Sequence, residues 1–465
     1  MAARHAAVAT AGTERGDMGR GLPWQARVAL LACLALLYTW MAAHLGVGTM
    51  AGGPDESMRS LVPRAIAAGN LFPSGYDPEV IYFLGNWSYA FYPQALGAYL
   101  SAFFMKVAEL LGFSENACFE AGRMASVCLS VVALTFASLA AERVARRMRL
   151  DVRLAGAGAI VLMGLWPQYA FLSAYMNNEI VALAGVCLII YSLVSGLMDG
   201  WGAGARAALS AGVIVAALGY WNAYGFILAG VGTFVWSLVR MRAPGREKAR
   251  LFLTAAIPAA VCVLPFFALN VVRYGDLLGM STFHERYQQW LDAGGQVLQQ
   301  PYTEGLASML LETEYVTSTW RSFIGVFGYM SYLLPFLAYL SYTVLACTLA
   351  GAFLARGARE RALSGWGGRV LTGAVALGCV VTVALSLYYS LATDYQPQGR
   401  YVIYLLPPLA MAMALGAAPR EEGSHAGRVA CACLLAAFAV AGLAILACAS
   451  IDCGWTGVDV TLMQH

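Results

Sequence analysis

Two adjacent carboxylates, Asp55 and Glu56, follow Gly53-Pro54 shortly after the first long apolar segment of the chain. A carboxylate held in water beside a membrane can take a proton from a hydroxyl group, so Asp55 is the candidate general base and Glu56 a second catalytic candidate. A charged pair in that position has only a small free-energy cost, because it stays hydrated at the membrane surface, so its presence alone is weak evidence of function. Asp55 can equally cap a short interfacial helix, and the two roles are compatible.

Arginine side chains at the ends of other apolar segments are candidates for holding a phosphate. Arg273, Arg321 and Arg400 are the strongest of them, because a guanidinium group matches phosphate oxygens with two parallel hydrogen bonds. Each alone can also extend to the membrane interface with no further role. Asn178 and Glu179 either begin the next helix or supply a substrate contact or a ligand for a divalent cation, Mg²⁺ or Mn²⁺.

The composition determines the class of protein. Of 465 residues, 60% are hydrophobic and 12% charged, and the mean hydropathy is +0.65, which excludes a soluble globular protein. The net charge of +3 is small and its basic residues form short clusters, which argues against nucleic acid as a partner. The eleven cysteines contain no CxxC pair, so neither a metal centre nor redox chemistry is indicated.

The distribution of basic residues predicts which loops are cytoplasmic. The tail 1–26 carries three arginines and precedes an apolar segment at 27–47 that is long enough to span, which indicates an uncleaved first helix rather than a signal peptide. Five arginines within 142–153 mark the next cytoplasmic loop. Residues 48–88 therefore form a long external loop that contains both carboxylates.

The remaining apolar segments complete an all-α, polytopic integral membrane bundle of about 11 to 13 spans. The predicted spans are 27–47, 122–141, 154–174, 179–198, two short ones within 207–239, 251–272, one that ends before Arg356, 370–390, 401–417 and 429–450. The segment 89–111 does not fit the alternation and is predicted to lie in the interface or to re-enter. Residues 27–450 then form a single domain with external loops 48–88 and 273–320 and an external tail at 451–465.

Most of the unusual polar residues fall on the external side of this topology, in four loops that are distant in sequence. Their convergence would form one pocket with acids and guanidinium groups, suited to an anionic lipid head-group and a hydroxyl nucleophile. The candidate substrate-binding residues are Arg59, Asn178, Glu179, Arg273, His284, Arg286, Arg321, Gln398 and Arg400. The aromatic run at 220–224 is more typical of an interfacial belt than of a sugar-binding surface.

Short motifs follow one another in a consistent order along most of the chain. They are Gly53-Pro54-Asp55-Glu56, Tyr92-Pro93-Gln94, Asn177-Asn178-Glu179, Asn270-Val271-Val272-Arg273-Tyr274-Gly275-Asp276, Ser322-Phe323-Ile324-Gly325-Val326-Phe327-Gly328 and Gln398-Gly399-Arg400-Tyr401. With these motifs the chain resembles the C-type membrane glycosyltransferases (GT-C), in particular a bacterial branch with Pro-Asp-Glu in its first external loop. Two features depart from that pattern: Glu179 stands where the branch tends to have Asp, and Ser57 and Arg59 stand where it often has His or an aromatic residue.

The resemblance implies an inverting transferase that passes a sugar from a polyprenyl-phosphate-linked donor to a glycan, lipid or protein acceptor of the cell envelope. It places the reaction on the outer face of a bacterial cytoplasmic membrane, with Asp55 as the base and loop helices lying in the membrane plane. No cofactor is implied with certainty, and a divalent cation stays open.

Two other classes of protein remain as alternatives. A transporter or flippase of a lipid-linked saccharide would share the many spans, but it usually carries ionisable residues in mid-membrane, whereas the cores of these spans are nearly free of charge. A non-catalytic membrane scaffold is the third possibility, since a fold can persist without its chemistry.

Overall fold

The computed structural model describes residues 21–47, 52–359 and 365–460. Within these ranges, nine helices are long and apolar enough to cross a membrane, and two shorter apolar helices accompany them. A helix satisfies its own backbone hydrogen bonds, which makes it suitable for the lipid interior. The chain is therefore an all-α, multi-pass membrane protein, as its composition predicts.

The described residues of the first half of the chain form ten α-helices. They are α1 (Trp24–His44), α2 (Glu56–Arg59), α3 (Leu61–Ala67), α4 (Leu96–Leu110), α5 (Glu115–Arg147), α6 (Val152–Gly164), α7 (Pro167–Leu172), α8 (Asn178–Met198), α9 (Ala203–Ala217) and α10 (Tyr224–Arg240). Short 3₁₀ helices lie at Pro78–Val80, Tyr89–Phe91 and Trp221–Ala223. The predicted span 154–174 is broken at Trp166, because Pro167 begins a new helix there.

The second half adds, in the ranges that the structure describes, eight α-helices and one small hairpin. The helices are α11 (Gly245–Tyr274), α12 (Met280–Asp292), α13 (Leu306–Leu311), α14 (Tyr315–Ile324), α15 (Phe336–Arg359), α16 (Trp366–Ala392), α17 (Leu406–Ala417) and α18 (His425–Asp452). The hairpin pairs β1 (Val326–Phe327) with β2 (Tyr332–Leu333) in antiparallel register. A 3₁₀ helix at Gly399–Leu405 leads directly into α17.

Helix α8 lies at the centre of the bundle. It is the most buried of the nine long helices in the described ranges and packs against α5, α9, α10 and α16. Its sequence is apolar on every side beyond its first turn, as expected of a helix surrounded by protein. The polar first turn of α8, with Asn178 and Glu179, is therefore held rigidly by the core.

Contacts between the ends of the long helices define a basic end and a loop end of the molecule. At the basic end, neighbouring helices are connected by contacts from Arg27 to Glu142, from Arg147 to Asp199 and from Arg356 to the carbonyl of Ala418. The loop end holds the segments before α4, between α11 and α15, and between α16 and α17. By the positive-inside rule the basic end is predicted to be cytoplasmic.

Helix α4 does not cross from one end to the other. The amide of Leu96 at its start donates to Leu218 O, and Glu115, just beyond its end, pairs with Arg64 of the first loop. At 15 residues it is also shorter than the roughly 20 residues that a span requires. The segment 89–111 thus keeps both ends at the loop end, in agreement with the prediction of a non-spanning segment.

Candidate active site

A buried ion pair fixes the segment that carries the two candidate acids. One edge of the Arg123 guanidinium group on α5 binds Glu56, with Nε donating to Oε1 at 2.9 Å and Nη2 donating to Oε2 at 2.7 Å. Arg123 also donates to the backbone carbonyls of Ala42, Leu45 and Gly46 at the end of α1. Glu56 Oε1 accepts from the backbone amide of Met176 just before α8. Three helices therefore meet at this pair, and neither side chain is exposed.

Asp55 adopts a left-handed backbone conformation beside that anchor, with φ of 62° and ψ of 3°. Asp and Asn tolerate this conformation better than other residues with a side chain. The preceding Gly53 leaves no room for a Cβ atom, which would lie 2.4 Å from the ring of Tyr175. The turn thus directs Asp55 away from its neighbour Glu56, and 27% of the Asp55 side chain is accessible.

Asp55 belongs to a polar cluster, defined as Asp55, Arg59, Glu179 and Arg400. Arg400 Nη2 donates to Asp55 Oδ2 at 2.8 Å. The fully buried carboxylate of Glu179 lies between the two arginines, 3.7 Å from Arg59 Nη2 and 3.8 Å from Arg400 Nε. Those distances are too long for hydrogen bonds, and both oxygens of Glu179 have no hydrogen-bond partner among the described residues.

Both arginines have N–H groups that form no hydrogen bond with the described residues. Nε and Nη1 of Arg59 and of Arg400 are buried without a hydrogen-bond partner in the described part of the chain. The Arg59 guanidinium group lies over the ring of Tyr89, 4.5 Å from its centroid. Buried N–H groups left unpaired are costly, so such a site is suited to an anion that would complete their hydrogen bonds.

The surroundings determine the charge of the groups in the loop. Burial alone would raise the pKa of Asp55, but the charges of Arg400 and Arg59 and the hydrogen bond from Arg400 together lower the pKa below its usual value. Burial would lower the pKa of Arg59, yet Tyr89, Glu179, Asp55 and Tyr220 hold it above its usual value. At neutral pH Asp55 is thus a carboxylate beside permanent cations.

Arg400 is positioned by a close contact between two segments. Gly399 passes so near α14 that a Cβ atom would lie 2.0 Å from the backbone nitrogen of Phe323. Its amide donates to Ser322 Oγ. Glycine is therefore required here, and the Ser322 and Gly399 motifs noted in the sequence form one contact that places Arg400 beside Asp55.

Two cavities meet at the polar cluster. The smaller one, of about 70 Å³, is mainly apolar and lies between α3, α4, α5, α8 and α11, with Arg273 and Asn270 among its lining residues. The larger one, of about 230 Å³, is lined by Asp55, Arg400 and many aromatic residues. Arg59, Tyr89 and Asn178 line both cavities.

The other predicted site residues lie at varying distances from the cluster. Arg273 donates to the carbonyls of Phe72 and Pro73 at the edge of the smaller cavity. Arg286 lies over the ring of Tyr76, His284 contacts the ring of Phe283, and Gln398 donates to Gln396. His284, Arg286, Arg321 and Gln398 line neither cavity.

Sequence reasoning missed several residues of this site. Arg123 was overlooked because it lies inside a long apolar segment, where a lone arginine is itself a signal of a buried partner. Tyr89 is not singled out by the sequence, and Tyr92 is noted only within the motif Tyr92-Pro93-Gln94, without a site role. Tyr220 and Trp221 were interpreted as an interfacial belt, whereas both line the larger cavity.

Neither a protein-family model nor a curated protein matches the chain. Among solved structures, the chain is similar to the crystal structure of ArnT from Cupriavidus metallidurans in the apo state, at 15% sequence identity and a TM-score of 0.48. The similarity covers 84% of this chain and 59% of that chain, so this chain spans less than two thirds of the length of the protein that it matches.

Proposed function

We propose that the chain is a C-type membrane glycosyltransferase of the bacterial cytoplasmic membrane. It transfers a sugar from a polyprenyl-phosphate-linked donor to a cell-envelope acceptor on the outer face, with Asp55 as the general base. The observation that carries this proposal is the polar cluster, in which an accessible carboxylate stands beside two guanidinium groups with unpaired donors, where an apolar cavity meets an aromatic one.

The smaller cavity suits the lipid part of the donor next to its phosphate. It is bounded by Phe266, Leu269 and Asn270 of α11, the least buried of the nine long helices in the described ranges. A lipid could reach the cavity from the bilayer along that helix. Arg59 then lies at the inner end of the cavity, where its unpaired N–H groups would bind phosphate oxygens.

The chemistry assigns one role to each charge. The acceptor oxygen attacks the anomeric carbon of the donor from the face opposite the phosphate, and the acceptor proton passes to Asp55. The bond between the anomeric carbon and the phosphate oxygen breaks, and the phosphate retains the electron pair. Arg59 and Arg400 stabilise the charge that develops on the phosphate. Attack from the opposite face inverts the configuration of the sugar.

Glu179 keeps the two arginines in place without contacting the substrate. Two cations a short distance apart repel each other, and a buried carboxylate between them offsets that repulsion. No group of three His, Cys, Asp or Glu residues that could hold a divalent cation occurs in the described ranges. In this proposal the guanidinium groups supply the positive charge.

A pH profile tests the charge state of Asp55. Because its pKa is lowered from a value that is ordinarily about 3.9, the free protein keeps this carboxylate ionised throughout the neutral range. We expect kcat/KM for transfer to show no acid limb between about pH 5 and pH 8. An acid limb centred inside that range would assign the base to a group with a higher pKa.

The position of Arg400 is tested by Gly399→Ala. The added methyl group must displace the backbone of α14 or of Arg400, so we expect transfer per folded molecule to fall by about 100-fold, since a shift of about 1 Å has that effect on catalysis. Overpacking should also cost about 1–3 kcal/mol of stability. The matched control is Gly351→Ala on α15, where no atom lies within 4 Å of the added carbon. Full transfer by Gly399→Ala would show that Arg400 need not be fixed there.

Lipid analysis distinguishes a transferase from a flippase. Mass spectrometry of lipids from cells without the chain should show a polyprenyl-phosphate sugar that accumulates relative to cells with the native chain. A transferase acts after the donor has reached the outer leaflet, so periodate added to intact cells should oxidise the accumulated sugar. Protection from periodate would indicate a donor trapped in the inner leaflet and hence a flippase. If no polyprenyl-phosphate sugar accumulates, both the transferase and the flippase function are contradicted.

A further inference from the structure

The larger cavity has a continuous aromatic wall. Neighbouring rings along it have centroids 4.9 to 6.4 Å apart. In order of contact, the rings of this aromatic wall are Trp87, Phe283, Tyr92, Trp221, Tyr220 and Tyr401. They come from four separate segments of the chain, so the fold brings together rings that no local sequence pattern connects.

Uncharged polar side chains share the lining with these rings. Gln94, Gln299, Gln396 and Asn178 all border the cavity. An amide side chain donates and accepts hydrogen bonds, as a sugar hydroxyl group does. The C–H groups of a sugar ring carry a slight positive charge and are attracted to the negative face of an aromatic ring. Aromatic rings together with amides are thus the complement of a carbohydrate.

The charges of the lining argue against an anionic acceptor. Among the described residues that border the cavity, the cationic ones are Arg59 and Arg400, and the proposed function assigns both of them to the phosphate of the donor. The further acid, Asp394, accepts hydrogen bonds from Gln396 and from the amide of Gln300. The cavity volume of about 230 Å³ leaves room for a small unit such as a single sugar.

We propose that the larger cavity is the acceptor site and that the acceptor is a neutral carbohydrate, with one sugar ring against the aromatic wall. This inference rests on the proposed transferase function and names its acceptor class. A hydroxyl oxygen of that sugar forms the new bond to the anomeric carbon of the donor. Its proton goes to Asp55, and the polyprenyl phosphate leaves with the electron pair of the broken bond.

The test uses a photoreactive residue in the aromatic wall of the full-length chain. p-Benzoylphenylalanine replaces Trp87, the cells are irradiated intact, and peptides of the purified protein are analysed by mass spectrometry. We expect an adduct at position 87 whose fragments are neutral sugar units. The matched control places the same residue at Trp236, which stacks on Trp366 near the basic end of α10 and should gain no sugar.

Each result decides the question. A phosphorylated lipid, a peptide or no adduct at position 87 would overturn the carbohydrate acceptor, and so would an equal sugar adduct at position 236. Accumulation of the donor lipid in cells without the chain is measured independently, so the acceptor class can fail while the transferase function stands. If the donor lipid does not accumulate, the transferase itself has failed.

Substitutions in the aromatic wall give a second measurement. Trp87→Leu removes a ring but keeps an apolar side chain, and we expect the KM for the acceptor to rise about tenfold while kcat changes little. Trp87→Phe, which keeps an aromatic face, should restore most of the affinity. Equal KM values for the native chain and Trp87→Leu would show that the wall does not bind the acceptor.

Discussion

We expect Asp55→Asn to lower the rate of sugar transfer by about a thousandfold while the protein still folds and inserts. An amide cannot accept the acceptor proton, and loss of a general base typically costs two to four orders of magnitude. Asn tolerates the left-handed conformation at φ of 62°, and its carbonyl oxygen can still accept the hydrogen bond from Arg400. The measurement is transfer per folded molecule, with the unfolding midpoint recorded in detergent.

A control in the same loop distinguishes the loss of a general base from the loss of one negative charge. Glu79 is exposed and accepts a hydrogen bond from Asn70, outside both cavities. Glu79→Gln removes one negative charge from the first loop, and it should leave transfer near the native rate. A native rate in Asp55→Asn would assign the base to another residue, and an equal loss in both variants would indicate an effect of loop charge.

Arg123→Met has the largest expected effect on stability. It leaves Glu56 buried without its cation and frees three backbone carbonyls at the end of α1. Breaking a buried ion pair by removing one partner typically costs about 3–5 kcal/mol. We expect the thermal unfolding midpoint of the purified protein to fall by several degrees, together with lower yield in the membrane.

A double-mutant cycle identifies the cause. Glu56→Gln removes the unpaired charge, so Arg123→Met combined with Glu56→Gln should be more stable than Arg123→Met alone. The cycle also tests the prediction that Glu56 is catalytic. Because Glu56 is buried in the anchor, we expect Glu56→Gln to lose stability yet to keep most of its transfer per folded molecule. A folded Glu56→Gln protein without transfer would assign Glu56 a catalytic role.

Sequence reasoning predicted the helices well because the apolar segments are long and uninterrupted. The break at Trp166 and the 3₁₀ start of α17 at Gly399 were missed, since each depends on local contacts. The distribution of basic residues between loops was enough to predict that the segment 89–111 does not span the membrane. An odd number of crossings was required between two loops, and among the described helices of this interval α5 is long enough to cross while α4 is not.

The candidate site was predictable in part. Asp55, Glu179 and Arg400 could be predicted as site residues because charged residues beside membrane-spanning segments are often functional. Their mutual distances could not be predicted, because they depend on how the starts of α2 and α8 pack against the 3₁₀ helix that leads into α17. The aromatic wall was harder still, since Tyr and Trp near helix ends usually mark a membrane interface, and only tertiary packing brings Trp87 beside Phe283.

The central claim is that the polar cluster transfers sugar from a lipid phosphate, and reconstitution tests it most directly. Native protein and Asp55→Asn are placed in lipid nanodiscs with polyprenyl lipids and envelope glycans extracted from cells that lack the chain. Mass spectrometry then follows the release of free polyprenyl phosphate. We predict that the native protein converts the glycosylated lipid to polyprenyl phosphate and that Asp55→Asn leaves it intact. Equal release by both proteins, or release by neither, would contradict the account.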